Sequence, residues 1–245
     1  PVRADLARFG YRAEIWSDKT PEDAFRTRLL ATIDLLRGLG DRGADPALVT
    51  QAVDRIRALY GPVEPDPAPL EDALRTAVAA LLADFPDDMT AHATSQTAYD
   101  ALAADHRALR EALRPGELAR DWGLWVRLGG MRRSNRRMAL PEGYDMRVGA
   151  VMEAAGTLAR HPGPLKDACA HLAALIGGAQ QVMAAYAALR RDAGVIDYAD
   201  MICDAERLLR TRPEIRAAVL GGIDCVVIDE FQDTNPVQFA LLWHL

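Results

Sequence analysis

Asp229 and Glu230 are two adjacent carboxylates that follow a short apolar run, residues 225–228. This run lacks the polar–apolar alternation of a half-exposed strand, so it predicts a buried parallel strand, which spans residues 223–228. Open α/β sheets bind their ligands at the carboxyl ends of such strands. In phosphoryl transfer from ATP, an acid at that position helps to hold the magnesium ion that bridges the phosphate oxygens. The pair is therefore the first candidate for chemistry. The alternative is that both residues merely end a strand.

A helix is predicted directly after this pair, and it would fix the loop that carries the acids. Thr234 or Asn235 can cap the helix, and Pro236 suits its first position. The two acids would then lie in a strand–loop–helix unit.

The stretch Asp229-Glu230-Phe231-Gln232-Asp233-Thr234, with Gln238 further along, resembles motif II (Walker B) of superfamily 1 DNA helicases of the UvrD, Rep, RecB and AddA kind. The resemblance implies that Asp229 holds the Mg²⁺ of Mg-ATP and that Glu230 orients or deprotonates the attacking water. It also implies that Gln232 lies near the γ-phosphate. Asp233 would fix the loop, and Gln238 would anchor the following helix.

A second segment, residues 194–201, is similar to the one that these helicases carry shortly before motif II. We expect Asp197 or Asp200 to cap the next helix, because a carboxylate there accepts hydrogen bonds from free backbone amides. We expect Tyr198 and Met201 to enter the core.

A Walker A loop requires a lysine directly after a glycine. The two lysines of the chain, Lys19 and Lys166, follow other residues, so no such loop can be drawn. The resemblance places Walker A upstream of this region and the arginine fingers downstream, in a second motor domain. We therefore expect a helicase fragment that does not hydrolyse ATP by itself. Mg²⁺ and ATP are expected in the full-length parent and not on the fragment.

Positive charge is concentrated in one segment of an otherwise acidic chain. The 245 residues carry a net charge of −6, which argues against a general nucleic-acid coat. Residues 120–137 hold six arginines and one acid, a local charge of +5. Arginines suit phosphate contacts that position a protein on DNA, and we predict such contacts for Arg127, Arg132, Arg133, Arg136 and Arg137. The alternative is a solvated loop in which Trp122 and Trp125 are core anchors.

The remaining sequence predicts helices, so the fold class is mainly α. Apolar residues recur at helical spacing behind start signals at Thr20-Pro21 and Asp45-Pro46. Further helices are predicted over residues 70–85, 98–113, 146–160, 165–176, 179–192, 200–210 and 213–220, with a proline-rich connector at 61–69.

By resemblance, residues 1–220 form a helical 1B-like accessory subdomain. Residues 221–245 then supply one strand and one helix of a RecA-like α/β motor domain. Because that strand lacks partners, we expect its segment to pack on the helices, to pair with another copy or to be partly disordered.

Two classes of function stay open. The first is a fragment of an ATP-dependent DNA helicase or translocase that unwinds DNA in repair or recombination. Its partners would be single-strand/duplex junction DNA, the rest of the motor and, in the RecB/AddA branch, a nuclease. The second is a stand-alone helical DNA- or protein-binding module with a vestigial Walker B motif.

The scattered Cys169, Cys203 and Cys225 suit reduced thiols. We expect a cytoplasmic protein without a membrane partner, since no uninterrupted apolar run approaches the length of a membrane span.

Overall fold

The computed structural model describes residues 20–86, 88–136 and 139–245, and these are mainly helical. The helices are α1 (Pro21–Arg37), α2 (Ala47–Tyr60), α3 (Ala68–Ala83), α4 (Gln96–Ala112), α5 (Trp122–Gly129), α6 (Tyr144–Gly156), α7 (Pro162–Ala193), α8 (Tyr198–Thr211), α9 (Pro213–Leu220) and α10 (Pro236–Trp243). Short 3-10 turns lie at Gly40–Ala44, Met89–His92, Thr157–Arg160 and Phe231–Asp233. The prediction of a mainly helical chain is confirmed.

The chain forms two compact units. The described part of the first comprises residues 20–58 and 169–245, and the second comprises residues 59–168 without 87, 137 and 138. These boundaries differ from the predicted division at residue 220, which remains a prediction about the domains of a parent protein.

The first unit has a small core in which α1 packs against α7. Leu36, Ile176 and Ala179 are buried there. Thr20 caps α1 as predicted, because its hydroxyl accepts from the amide of Asp23 and the Asp23 carboxylate accepts from the amide of Thr20. In the same unit α10 and α9 both pack against α8.

The second unit has the larger core, built from one apolar stripe on each of four helices. On α3 the stripe is Leu74, Val78 and Leu81, which helical geometry places on one face. Helices α4, α5 and α6 contribute further fully buried side chains, namely Leu102, Leu109, Leu124, Trp125, Leu128, Val148 and Val151. The extended connector predicted for residues 61–69 is observed as irregular backbone over 61–67, and α3 begins at Ala68.

Helix α7 corrects the prediction of two helices interrupted at Gly177-Gly178. It is a single helix of 32 residues. Glycine costs about 1 kcal/mol relative to alanine within a helix. Ile176 and Ala179 flank the pair and are buried in the core of the first unit, so packing outweighs the local preference.

The same helix is apolar over much of its length, although His171, Gln180 and Gln181 interrupt the apolar run. An 18-residue window of α7 has a mean hydropathy of 1.4, so by length and composition alone the helix is long and apolar enough to cross a membrane. The cause is an alanine-rich stretch, residues 168–189, without a charged side chain. Within the first unit Gln180 donates from this helix to the carbonyl oxygens of Gly43 and Asp45, at 3.1 and 2.9 Å.

Candidate functional site

The segment that precedes the two acids does not form the predicted strand. Residues 223–228 have neither helical nor strand pairing, and Val227 is 86% exposed. A strand requires a neighbour that accepts and donates its ladder hydrogen bonds. Within the described ranges, 20–86, 88–136 and 139–245, no strand offers that pairing. The piece after residue 220 was expected to pack on the helices, to pair with another copy or to be partly disordered. Its helix α10 packs on α8, whereas residues 224–230 are exposed.

Asp229 and Glu230 lie in an exposed turn at the end of that segment. The carboxylate of Asp229 accepts a hydrogen bond from the backbone amide of Glu230 at 2.9 Å. Glu230 has φ 51°, in the left-handed region, and it is the only such non-glycine residue in the described part of the chain. Backbone in that region costs a non-glycine residue about 1–3 kcal/mol and often marks functional sites.

The residues after the acids form a short turn and then α10. The side-chain amide of Gln232 donates to the carboxylate of Glu230, which brings two predicted site residues together. Asn235 caps α10 by accepting from the amide of Gln238 at 2.9 Å, and Gln238 accepts from the amide of Asn235 at the same distance. The amide of Val237 donates to the carbonyl of Gly38 at 2.9 Å. The predictions that Asn235 caps this helix and that Gln238 anchors it are confirmed.

These residues offer only part of what an ATP site needs. Mg²⁺ in nucleotide sites is held by one or two carboxylates, phosphate oxygens and water, and Asp229 is an exposed carboxylate of that kind. No group of three or more His, Cys, Asp or Glu side chains among the described residues is arranged to hold a metal ion. The sequence also provides no glycine–lysine loop for the phosphates. The turn therefore has the acids of such a site but not its phosphate cradle.

The segment at residues 194–201 connects three helices of the first unit. Asp197 caps α8, and the carboxylate of Asp200 completes the capping box. The guanidinium of Arg37 on α1 binds Asp197 and lies 3.6 Å from Asp200. Arg190 on α7 lies 3.3 Å from Asp197 and also pairs with Asp200. The hydrogen bond from Arg37 holds the pKa of Asp197 below its ordinary value of 3.8.

The prediction that Asp197 or Asp200 caps the next helix is confirmed, whereas the predicted burial of Tyr198 and Met201 is wrong. Their side chains are 68% and 46% exposed. The reason is that α8 turns toward its neighbours the face that carries Leu209 and Glu206. Sequence reasoning also missed Arg37. It lies 160 residues from Asp197 in the chain, and a basic residue at a helix end gives no sign of such a distant partner.

The described part of the arginine-rich segment, residues 120–136, lies in the second unit, and its arginines differ in their contacts. Arg120 pairs with Glu117, and Arg127 lies 3.1 Å from Asp121 and 3.3 Å from Glu111. These two guanidiniums are therefore largely neutralised by carboxylates. Arg132, Arg133 and Arg136 are exposed and form no ion pair within the described residues. Arg137, also predicted to contact DNA, lies outside the described residues.

The two tryptophans of this segment are core anchors. Trp125 is fully buried, and its indole N–H donates to the carbonyl of Leu118 at 2.9 Å. The indole N–H of Trp122 donates to the carboxylate of Asp167 at 2.8 Å. His161 lies between the rings, 4.9 Å from Trp122 and 5.5 Å from Trp125. The packing of both tryptophans is what the alternative of a solvated loop predicted, and the DNA contact of the arginines stays a prediction.

The comparison with protein families agrees with the motifs. Residues 165–245 match the UvrD/REP helicase N-terminal domain. No curated protein and no solved structure matches the chain. The matched range contains both the segment at 194–201 and the turn with Asp229 and Glu230. Over residues 165–245, therefore, the chain is similar to the sequences of UvrD-like superfamily 1 helicases.

Proposed function

We propose that this chain is a segment of an ATP-dependent DNA helicase or translocase of the UvrD type, which acts in the cytoplasm in DNA repair or recombination. The observation that carries the proposal is the coincidence of motif II, Asp229 to Gln238, with the family match over residues 165–245. The 1B-like subdomain up to residue 220 and the RecA-like strand and helix after it belong to this proposal.

In the proposed parent, Asp229 holds the magnesium ion of Mg-ATP, Glu230 orients or deprotonates the attacking water, and Gln232 lies near the γ-phosphate. Glu230 and Gln232 are already hydrogen-bonded to each other, and their exposed turn leaves them accessible to a phosphate cradle from another segment. The strand predicted for residues 223–228 then forms by pairing with strands of the complete motor. By itself this chain does not hydrolyse ATP, since its sequence has no Walker A lysine.

The proposed DNA contact of this chain is the edge formed by Arg132, Arg133 and Arg136. All three guanidiniums are exposed, and although Arg132 interacts electrostatically with Asp105, arginines of this kind can contact a phosphate backbone without reading its sequence. A junction between duplex and single strand is the expected substrate of a helicase arm.

The test is a titration of labelled junction DNA with this chain at several salt concentrations. We expect affinity to fall steeply with salt. An Arg132→Ala, Arg133→Ala, Arg136→Ala variant should bind at least about tenfold more weakly, with a salt slope smaller by about 2–3. Arg107, Arg110 and Arg114 are exposed arginines of the same unit, so their triple alanine variant removes the same charge and is the matched control. Absence of binding at low salt, or equal loss in both variants, would contradict the proposed contact.

The two interpretations, a helicase segment and a module with a vestigial motif, can be distinguished by a measurement of ATP hydrolysis. The protein to be measured joins this chain to a Walker A segment and a second motor domain. We expect Asp229→Ala and Glu230→Gln to abolish hydrolysis in that protein. Unchanged hydrolysis would favour the vestigial interpretation.

A further inference from the structure

Two carboxylates hold the backbone that presents the exposed arginines. The amide of Arg132 donates to Asp105 Oδ2 at 3.3 Å, and the amide of Ser134 donates to Asp145 Oδ1 at 2.7 Å. Asp105 lies on α4 and Asp145 on α6. Residues 132–134 are therefore tied to two helices of the core through main-chain hydrogen bonds that do not depend on the arginine side chains.

Met131, which precedes this segment, and the side chain of Arg133 are also held in place. Met131 is only 4% exposed and belongs to the core of the second unit. The guanidinium of Arg133 lies over α6, where a Cβ atom added at Gly149 would be 3.4 Å from its Nη2. Gly149 is one helical turn after Asp145 and therefore on the same face. The absence of a side chain at Gly149 leaves room for Arg133.

The two acids cannot be explained by favourable charge toward a phosphate backbone. Negative charge beside arginines lowers their attraction for DNA. Asp105 is also half-buried, and that burial raises the pKa of its carboxyl. What the acids contribute is geometry, because an ordered loop loses less conformational entropy when it binds.

We propose that Asp105 and Asp145 are positioning residues that pre-order residues 132–134, so that Arg132 and Arg133 are presented on a preformed phosphate-binding edge that Arg136 extends. This inference rests on the proposed DNA contact of the same arginines. Neither acid touches DNA in this arrangement, and each acts through a backbone amide.

Two substitutions at Asp145 distinguish an effect of its charge on DNA affinity from an effect of its hydrogen bond. Asp145→Asn and Asp145→Ala both remove the negative charge, but only asparagine keeps an oxygen that accepts from Ser134. We expect Asp145→Asn to bind labelled junction DNA as tightly as the unchanged chain or more tightly. We expect Asp145→Ala to bind about five- to tenfold more weakly, because residues 132–134 then become ordered only on binding. Asp105→Asn and Asp105→Ala form a second, independent pair at Arg132.

Thermal unfolding of each variant identifies any variant that fails to fold. If a variant of one acid fails, the pair of variants at the other acid tests the proposal. Amide hydrogen exchange of the unchanged chain should show protection at Arg132 and Ser134 that is lost in the matching alanine variant. If both alanine variants bind DNA as tightly as their asparagine counterparts, the positioning role is overturned while the DNA contact stands. If the unchanged chain does not bind, or the triple arginine variant binds equally well, the proposed contact fails and this inference fails with it.

Discussion

Gly43 lies in the 3-10 turn Gly40–Ala44, which follows α1. A Cβ atom added there would be 1.9 Å from the carbonyl oxygen of Leu36 and 2.7 Å from its carbonyl carbon. Leu36 belongs to the small core of the first unit, so the backbone cannot move away without disturbing that core.

We therefore expect Gly43→Ala to lower the free energy of unfolding by at least about 1–3 kcal/mol, the usual cost of overpacking. Gly177 is the matched control, because a Cβ atom there meets no other atom within 4 Å. Gly177→Ala should raise the free energy of unfolding by about 0.5–1 kcal/mol through its helix propensity. Urea unfolding followed by circular dichroism measures both, and equal effects of the two substitutions would refute the argument.

Individual residues were predictable from sequence where their partners are close in the chain. The sequence predicts Thr20 as a cap, and Asn235 as one of two candidates beside Thr234, because a cap and the amide that it binds are three residues apart. Asp105 and Asp145 were missed because the amides that they bind lie 27 and 11 residues away. Contacts of that kind depend on how helices pack, and no local pattern records them.

At the scale of elements, the acids of the 194–201 segment join α8 to α1 and α7. The pKa of Asp197 is lowered in the folded chain, first by the hydrogen bond from Arg37. A lowered pKa means that this carboxylate stabilises the fold above its ordinary value of 3.8, and the contribution is lost as the pH falls through the folded-state pKa.

Asp197→Asn keeps a side-chain oxygen that can cap α8 but removes the charge that binds Arg37. At neutral pH we expect the variant to be less stable by about 1 kcal/mol, since partial exposure reduces what a charge-assisted hydrogen bond contributes. The difference from the unchanged chain should shrink as the pH falls below the ordinary range of aspartate. Urea unfolding at a series of pH values measures it, and a difference independent of pH would contradict the ionic role.

The secondary-structure elements agree with the sequence-based predictions except where contacts between distant segments determine the structure. The range predicted for α9, 213–220, was correct because Pro213 and Gly221 mark both ends. The break predicted within α7 was wrong because burial of Ile176 and Ala179 outweighed two glycines. The strand predicted for 223–228 was absent because strands, unlike helices, need a second segment for their hydrogen bonds.

At the scale of the whole molecule, the larger core belongs to one continuous stretch of chain. Every buried member of that cluster, from Leu74 to Ala155, lies within residues 59–168. The first unit instead needs two separate stretches, the described parts of which are 20–58 and 169–245. Continuity and a core of its own are what independent folding requires.

We expect residues 59–168 to fold when they are produced alone and to unfold cooperatively on heating. Leu109→Ala is the matched variant, since Leu109 is fully buried and its truncation should cost about 2–5 kcal/mol. A protein of residues 59–168 that lacks a cooperative transition would contradict the prediction.

Val226, Val227 and Ile228 form a β-branched run whose side chains are all at least 39% exposed and whose backbone has no ladder partner. A β-branched run that is uncharged and free of proline contributes to the five- to seven-residue windows from which cross-β aggregation starts. The run ends at Asp229 and Glu230, and charges flanking such a segment oppose stacking of identical chains. We therefore expect Asp229 and Glu230 to act as gatekeepers as well. Neutralising them removes protection against precipitation, so Asp229→Ala should be handled at low protein concentration.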